Sequence, residues 1–162
     1  MGMLKISSAL FCIILMAAST EAKTSIKEKP IVLEKLEMGK DFEADCCCSV
    51  WREGKDPNMQ DDFVWSDLLE RAPAVIKLDG KRRELKYISS TEKKTVRKGD
   101  SFSKVYRDGK TELKLNYKVT FACPQNSLEA EGCETTGYSV DLSLKDGSRK
   151  LKMNSLKGAC GC

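Results

Sequence analysis

The sequence contains no histidine among its 162 residues. Without histidine, the chain cannot form a Ser-His-Asp or Cys-His catalytic site, an HExxH zinc site or a Cys2His2 zinc finger. It also lacks the side chain that titrates nearest to neutral pH. No glycine-rich phosphate-binding loop and no G-x-S-x-G sequence is present. We therefore expect a protein that is not an enzyme and that needs no cofactor.

Long apolar runs are absent after the first 22 residues. Residues 1–22 carry one basic residue, Lys5, then an apolar core, and end in small residues at Ala22. This pattern is typical of a secretory signal peptide that is cleaved after Ala22. The core is shorter than the ~20 residues of a transmembrane helix, and an uncleaved N-terminal anchor is the alternative. We expect a periplasmic or secreted protein with no transmembrane helix after signal removal.

Proline is scarce, with four in the chain, and no segment has the length and apolar spacing of an amphipathic helix. Three Asp-Gly pairs, at residues 79–80, 108–109 and 146–147, favour tight hairpin turns. Apolar residues alternate with polar ones beside these turns, as in strands with one buried face. The clearest series is Leu113, Leu115, Tyr117, Val119 and Phe121. The pattern predicts an all-β fold, a small antiparallel β-barrel or β-sandwich of about seven to eight strands, stapled by disulfides.

The same patterns divide the chain into segments. Residues 23–30 are polar and are predicted to be a flexible N-terminal segment, followed by a single β domain over residues 31–162. Alternation over residues 42–50 predicts a strand, whereas residues 61–71 allow a short helix as an alternative to a strand. Residues 89–100 are mostly polar and predict a long exposed loop or a poorly formed edge strand.

The cysteine count indicates disulfides. Eight cysteines, one of them in the signal segment, leave seven in the exported chain, where disulfides are the default. Cys123 and Cys133 flank a loop between two predicted strands. A disulfide between them would staple this loop, and it is the pairing that the sequence favours most.

The other cysteines form one cluster near each end of the β domain. The candidates for two further disulfides between neighbouring antiparallel strands are Cys46, Cys48, Cys160 and Cys162. Cys47 then points to the opposite face of its strand and is the free thiol candidate. The alternative is a thiolate site for Cu or Zn, or a redox-active site, formed by Cys46, Cys47, Cys48, Cys160 and Cys162.

Charge is unevenly distributed along the chain. Residues 71–118 contain 15 basic and 6 acidic residues, and the total net charge is +4. Candidate binding residues in this segment are Lys81, Arg82, Arg83, Lys93, Lys94, Arg97 and Lys98. A basic face suits an acidic protein, an anionic surface glycan or lipopolysaccharide, whereas the simpler interpretation is that the lysines solvate strand faces. The aromatic residues do not interleave with the basic run as a stacking platform for bases would need, so nucleic acid is not expected as a partner of a secreted chain.

The layout is a signal peptide followed by a small, disulfide-stapled antiparallel β domain. In this layout the chain resembles periplasmic lysozyme inhibitors and other small envelope proteins. The likeness lies in architecture and assigns no role to any residue. We expect a non-catalytic binding or inhibitor-like envelope protein whose partner is an unknown protein or an anionic envelope component.

Overall fold

A computed structural model describes residues 29–43, 46–52, 61–67, 71–123, 133 and 135–161. These residues form nine strands: β1 (Leu33–Glu34), β2 (Cys47–Arg52), β3 (Asp61–Asp67), β4 (Ala74–Leu78), β5 (Lys81–Ser90), β6 (Ser101–Asp108), β7 (Thr111–Phe121), β8 (Thr135–Asp146) and β9 (Arg149–Gly161). In this part of the chain no helix is long and apolar enough to cross a bilayer. The predictions for the signal peptide and for most of residues 23–30 lie outside the described residues.

The strands form a closed barrel. Each strand from β2 to β8 pairs antiparallel with the next one along the chain, and β9 pairs back onto β2. The strand β1 occupies the stretch of the β4 edge beyond β3, where Leu33 lies opposite Leu78. The all-β prediction is confirmed, and of its two architectures the structure is an eight-stranded barrel plus one extra strand.

The hairpin turns lie where the Asp-Gly pairs predicted them. Asp79 and Gly80 both have positive φ, 50° and 79°, as a type I′ turn requires. Gly109 and Gly147 also have positive φ. Because consecutive strands run in opposite directions, all three turns lie at one end of the barrel, which we call the turn end. The opposite end carries the Cys48–Cys160 and Cys123–Cys133 bonds, and we call it the disulfide end.

The core lies inside the barrel. Along β7 and β8, buried residues alternate with exposed ones, so one side chain in two points inward. The largest fully buried side chains include Leu85, Leu113, Leu115, Leu142, Leu144, Val119 and Val140. An eight-stranded barrel is just wide enough inside for side chains to fill it. The described interior is filled in this way.

Two of the segment predictions need correction. The strand predicted from residue 42 begins only at Cys47, because Phe42 instead covers the outer face of β3 and β4. There its ring stacks on Trp65 with a centroid distance of 5.3 Å, above the buried side chain of Val75. Residues 61–67 form β3, so the helical alternative is wrong for them. Residues 91–100 connect β5 to β6 as an irregular segment.

Candidate functional site

The closing pair of strands carries a disulfide. Cys48 in β2 lies directly opposite Cys160 in β9, and their sulfurs are bonded. The predicted Cys123–Cys133 bond is also present, next to the ends of β7 and β8. Cys46 is disulfide-bonded as well. The remaining candidate, Cys162, lies outside the described residues.

Cys47 is a free, half-buried thiol whose Sγ lies 4.0 Å from Ser49 Oγ. It points to the opposite side of β2 from Cys48, as the alternation of a strand requires. The sulfurs of Cys48 and Cys160 are bonded to each other and so are not thiolate ligands in this state. Among the described residues, no group of three or more potential ligands is arranged to hold a metal ion.

The basic residues singled out in the sequence fall into separate places. Lys81 and Arg82 begin β5 at the turn end. The other four exposed candidates lie in the connection at the disulfide end, and they are Lys93, Lys94, Arg97 and Lys98. The ten residues of β5 separate the two groups by roughly 30 Å. These residues therefore do not form one continuous binding patch.

Arg83 belongs to a polar network at the turn end. Its Nη1 donates to Thr111 Oγ1 at 3.0 Å, and Thr111 Oγ1 donates to Asp146 Oδ1 at 2.9 Å. Arg149 binds the other oxygen of Asp146 and also Asp79, the latter at 2.8 Å. The Arg149 hydrogen bond holds the pKa of Asp146 below its usual value. Arg83 is thus engaged in holding the barrel end together, and the structure gives it a structural role.

A different set of basic residues shares one surface. Outward-facing side chains of β6 to β9 include seven exposed basic residues, Arg107, Lys114, Lys118, Lys145, Lys150, Lys152 and Lys157. We call this surface the basic face. In the described residues, the acidic side chains on the same outer face are Glu112 and Asp141. The alternation in β7 predicts that Lys114 and Lys118 face solvent. The other members of the basic face can be identified only from the pairing of the strands in the fold.

The pairing register arranges the basic face in rows across the strands. One row contains Glu112, Lys145 and Lys150, a second contains Lys114, Ser143 and Lys152, and a third contains Lys118, Ser139 and Lys157. Lys145 lies directly opposite Lys150, a placement in which like charges destabilise a sheet. Glu112 also forms an ion pair with Arg107. The surface therefore presents a concentrated positive potential toward solvent.

An open groove lies within the basic face. Its volume is about 490 Å³, in the ~300–1,000 Å³ range of small-ligand sites. Six outward-facing side chains line it, Ser101, Ser103, Asn116, Lys118, Ser139 and Asp141. Thr91 closes the groove on one side, because its N–H donates to Ser103 O at 2.9 Å and its Oγ1 accepts the Ser103 N–H at 2.9 Å. The groove is thus polar and is bounded by hydrogen-bonded backbone.

An aromatic cluster fills the barrel beneath this groove. The rings of Phe102 and Tyr117 stack with centroids 4.8 Å apart, and Tyr138 meets both edge-on. Lys104 faces inward, with its Nζ 5.7 Å and 5.8 Å from the Phe102 and Tyr117 ring centroids and 2.8 Å from a carboxylate oxygen of Glu92. Cation–π contact and the ion pair together stabilise this half-buried amine. The floor of the groove is therefore packed.

Burial also affects the tyrosine hydroxyls in this cluster. Desolvation raises the pKa of Tyr138 to about 12 and that of Tyr117 well above its usual value. It likewise raises the pKa of Tyr106 to about 12, although the hydrogen bond between Tyr106 and Ser66 acts in the opposite direction. These hydroxyls stay protonated near neutral pH, so the three tyrosines add no negative charge beneath the basic face.

The basic face offers charged and hydrogen-bonding groups to solvent. Its lysines donate hydrogen bonds and carry positive charge, and the groove adds hydroxyl, amide and carboxylate groups. No protein-family model, no curated protein and no solved structure matches this chain.

Proposed function

We propose that this protein is a non-catalytic binding protein of the periplasm or the cell exterior, and that it holds an anionic envelope component on its basic face. The observation that carries this proposal is the register of β6 to β9, which gathers seven exposed basic side chains on one outer surface. A surface of this kind attracts anionic partners and speeds their association.

The filled interior supports binding on the outside. The aromatic cluster occupies the disulfide end of the barrel, and the network around Asp146 occupies the turn end. A ligand that entered the barrel would have to displace these packed side chains. Binding on the outer surface requires no such rearrangement, because the basic side chains already face solvent.

The placement of Lys145 opposite Lys150 supports a role in binding. Like charges directly opposite each other in an antiparallel pair destabilise the sheet. An acidic residue in place of Lys150 would remove this repulsion and would leave the strand pattern unchanged. The repulsion between Lys145 and Lys150 is therefore explained if their positive charge is needed for binding.

The proposed location in the periplasm or outside the cell rests on the disulfide bonds. Disulfide bonds persist in the periplasm and outside cells and are rare in the reducing cytosol. The Cys48–Cys160 and Cys123–Cys133 bonds are typical of a protein exported to such a compartment. An exported protein meets anionic partners at the envelope, among them surface glycans, lipid headgroups and acidic proteins.

The test is a charge reversal on the basic face. The variant Lys114→Glu/Lys152→Glu changes two side chains that flank Ser143 in one row. Its binding to polygalacturonate, a polyanion, is measured by isothermal titration calorimetry at low and high salt, with neutral dextran as the uncharged comparison. We expect the wild type to bind polygalacturonate but not dextran, more weakly at high salt because ions screen exposed charges. The variant should bind at least tenfold more weakly.

The matched control reverses two exposed charges elsewhere. Lys29→Glu/Lys40→Glu makes the same change in net charge on the N-terminal segment, on residues that do not belong to the basic face. We expect this control to bind nearly as well as the wild type. Equal losses in both variants would show a nonspecific charge effect, and no binding to polygalacturonate or to phosphatidylglycerol vesicles would contradict the proposed function.

A further inference from the structure

We propose that the groove in the basic face holds one sugar unit of an acidic polysaccharide, which makes the anionic partner a glycan. This inference rests on the proposed function and names the class of its ligand. Three observations support it. The groove contains hydroxyl, amide and carboxylate groups, long lysine side chains border its short side chains, and hydrogen bonds with the backbone hold Thr91 and Asp141 in place.

The groups in the groove match sugar hydroxyls. Ser103, Asn116 and Asp141 lie opposite one another in one cross-strand row, and Ser101, Lys118 and Ser139 lie in the next. Hydroxyl and amide groups both donate and accept hydrogen bonds, as the hydroxyls of a sugar also do. The two rows lie ~7 Å apart along the strands, and neighbours within a row lie ~5 Å apart. A grid of that size can contact several hydroxyls of one sugar ring together.

Asp141 argues against a phosphate or sulfate in the groove itself. A carboxylate accepts hydrogen bonds from sugar hydroxyls but repels an anionic group placed beside it. The side chain of Asp141 is held by the Ser155 N–H, which donates to its Oδ1 at 3.0 Å. The groove therefore suits the neutral hydroxyls of a ligand, and the negative charges of that ligand must lie elsewhere.

The lysines that border the groove can form ion pairs with the negative charges of the ligand. Lys157 lies opposite Ser139, and Lys114 lies two residues before Asn116 on β7. Long lysine side chains beside short serines and an asparagine create a depression with a positive rim. An acidic polysaccharide carries hydroxyls and carboxylates on the same repeating unit, so it can satisfy both parts at once.

The walls of the groove are fixed before a ligand arrives. Thr91 is held by two hydrogen bonds with the backbone of Ser103, and the next residue, Glu92, is held by its ion pair with Lys104. Ser155, which holds Asp141, lies at the irregularity between β8 and β9 and has φ 57°. A site whose groups are already in place loses less conformational freedom on binding, which favours affinity.

The experiment compares three anionic probes with the full chain. Polygalacturonate carries carboxylates and sugar hydroxyls, poly-glutamate of matched length carries carboxylates without sugar hydroxyls, and phosphatidylglycerol vesicles present lipid phosphates. We expect polygalacturonate to bind roughly tenfold more tightly than poly-glutamate, the affinity that about two hydrogen bonds supply. The variant Asn116→Ala/Ser139→Ala should lose this preference and should keep its binding to poly-glutamate.

The matched control truncates two outward-facing residues outside the groove. Thr120→Ala/Ser143→Ala lies on the same two strands and the same outer face. It should retain the preference for polygalacturonate, and thermal unfolding followed by circular dichroism checks that all variants fold.

The outcomes separate the two proposals. If poly-glutamate binds as tightly as polygalacturonate and the groove variant behaves like its control, the groove inference is wrong while the basic face still binds anions. Tighter binding to the vesicles would identify a lipid partner and would also overturn the inference. If no probe binds, the proposed function itself fails.

Discussion

Cys48 lies directly opposite Cys160, with Cα atoms 4.0 Å apart, so one disulfide joins the first and the last strand of the barrel. The two residues are 112 positions apart in the sequence. The bond therefore fixes the pairing that has the highest loop-closure cost in the fold. The bond lies at the disulfide end of the barrel. The connection between β5 and β6 lies at the same end, where its residue Glu92 forms an ion pair with Lys104.

The first prediction concerns the disulfide map. Peptide mapping of protein isolated without reductant should find the bonds Cys48–Cys160 and Cys123–Cys133, and one thiol, Cys47, that reacts with an alkylating agent. We predict Cys162 as the partner of Cys46, because the next pair outward from Cys47 and Gly161 in the same antiparallel register would be 46 and 162.

Thiol counting also tests the metal alternative. Alkylation before and after reduction gives the number of oxidised cysteines, and a metal assay of the same sample gives its Cu and Zn content. Four or more free thiols together with bound metal would contradict the disulfide scaffold and would make the cysteine cluster the functional site.

The second prediction concerns Thr111, whose hydroxyl links Arg83 to Asp146 in a fully buried position. Thr111→Val keeps the shape of the side chain and removes the hydroxyl. Arg83 and Asp146 then each lose one hydrogen bond. We expect the free energy of unfolding to fall by about 1–3 kcal/mol, measured by urea denaturation. The control Thr120→Val, at an exposed position of the same strand, should change it little. Equal effects in both variants would show that the network contributes nothing.

The third prediction concerns alkaline pH. Burial raises the pKa of Tyr106 and Tyr138 to about 12 in the folded protein, above the ordinary value of 10.0. Because the folded state disfavours the charged phenolate, the stability from this burial is full below pH 10 and is lost as pH rises from 10 toward 12. The free energy of unfolding, measured at several pH values between 9 and 12, should therefore decline. Tyr138→Phe should decline less steeply, and a slope unchanged by this variant would contradict the assignment.

The fourth prediction sets stability against binding at Lys150. Lys150→Glu places an acidic residue opposite Lys145 and replaces a repulsive pair by an attractive one. We expect the free energy of unfolding to rise by roughly 0.2–1 kcal/mol while polygalacturonate binding weakens. The control Lys152→Glu lies opposite Ser143 and should weaken binding without this gain in stability. A Lys150→Glu variant that binds as well as the wild type would remove this residue from the proposed surface.

Local patterns were enough to predict several features. The alternation of Leu113, Leu115 and Tyr117 identified the inward face of β7, because the side-chain period of a strand is a local property. The Asp-Gly pairs identified the hairpins, because positive φ is a property of the turn residues themselves. The bond between Cys123 and Cys133 was also predictable, since only a short loop separates them.

Other features were decided by long-range packing. The alternating pattern placed Phe42 in a strand, but this residue instead covers the outer face of β4. Beneath it lies Val75, which points outward from β4 and is buried by this cover. Similarly, Arg83 belonged to a basic run in the sequence but turns inward to Thr111 in the structure. Neither placement can be read from spacing, because each depends on the segment that packs against it.

The sequence by itself determined that the chain forms antiparallel strands with hairpin turns and disulfides, because period-two alternation, turn residues and cysteine spacing act over a few neighbouring residues. Only the tertiary structure decided that these strands close into a barrel and that lysines from β7, β8 and β9 share one face. Which residues lie side by side depends on the register between strands, and that register is set by the packing of the whole core and by the closure of β2 against β9.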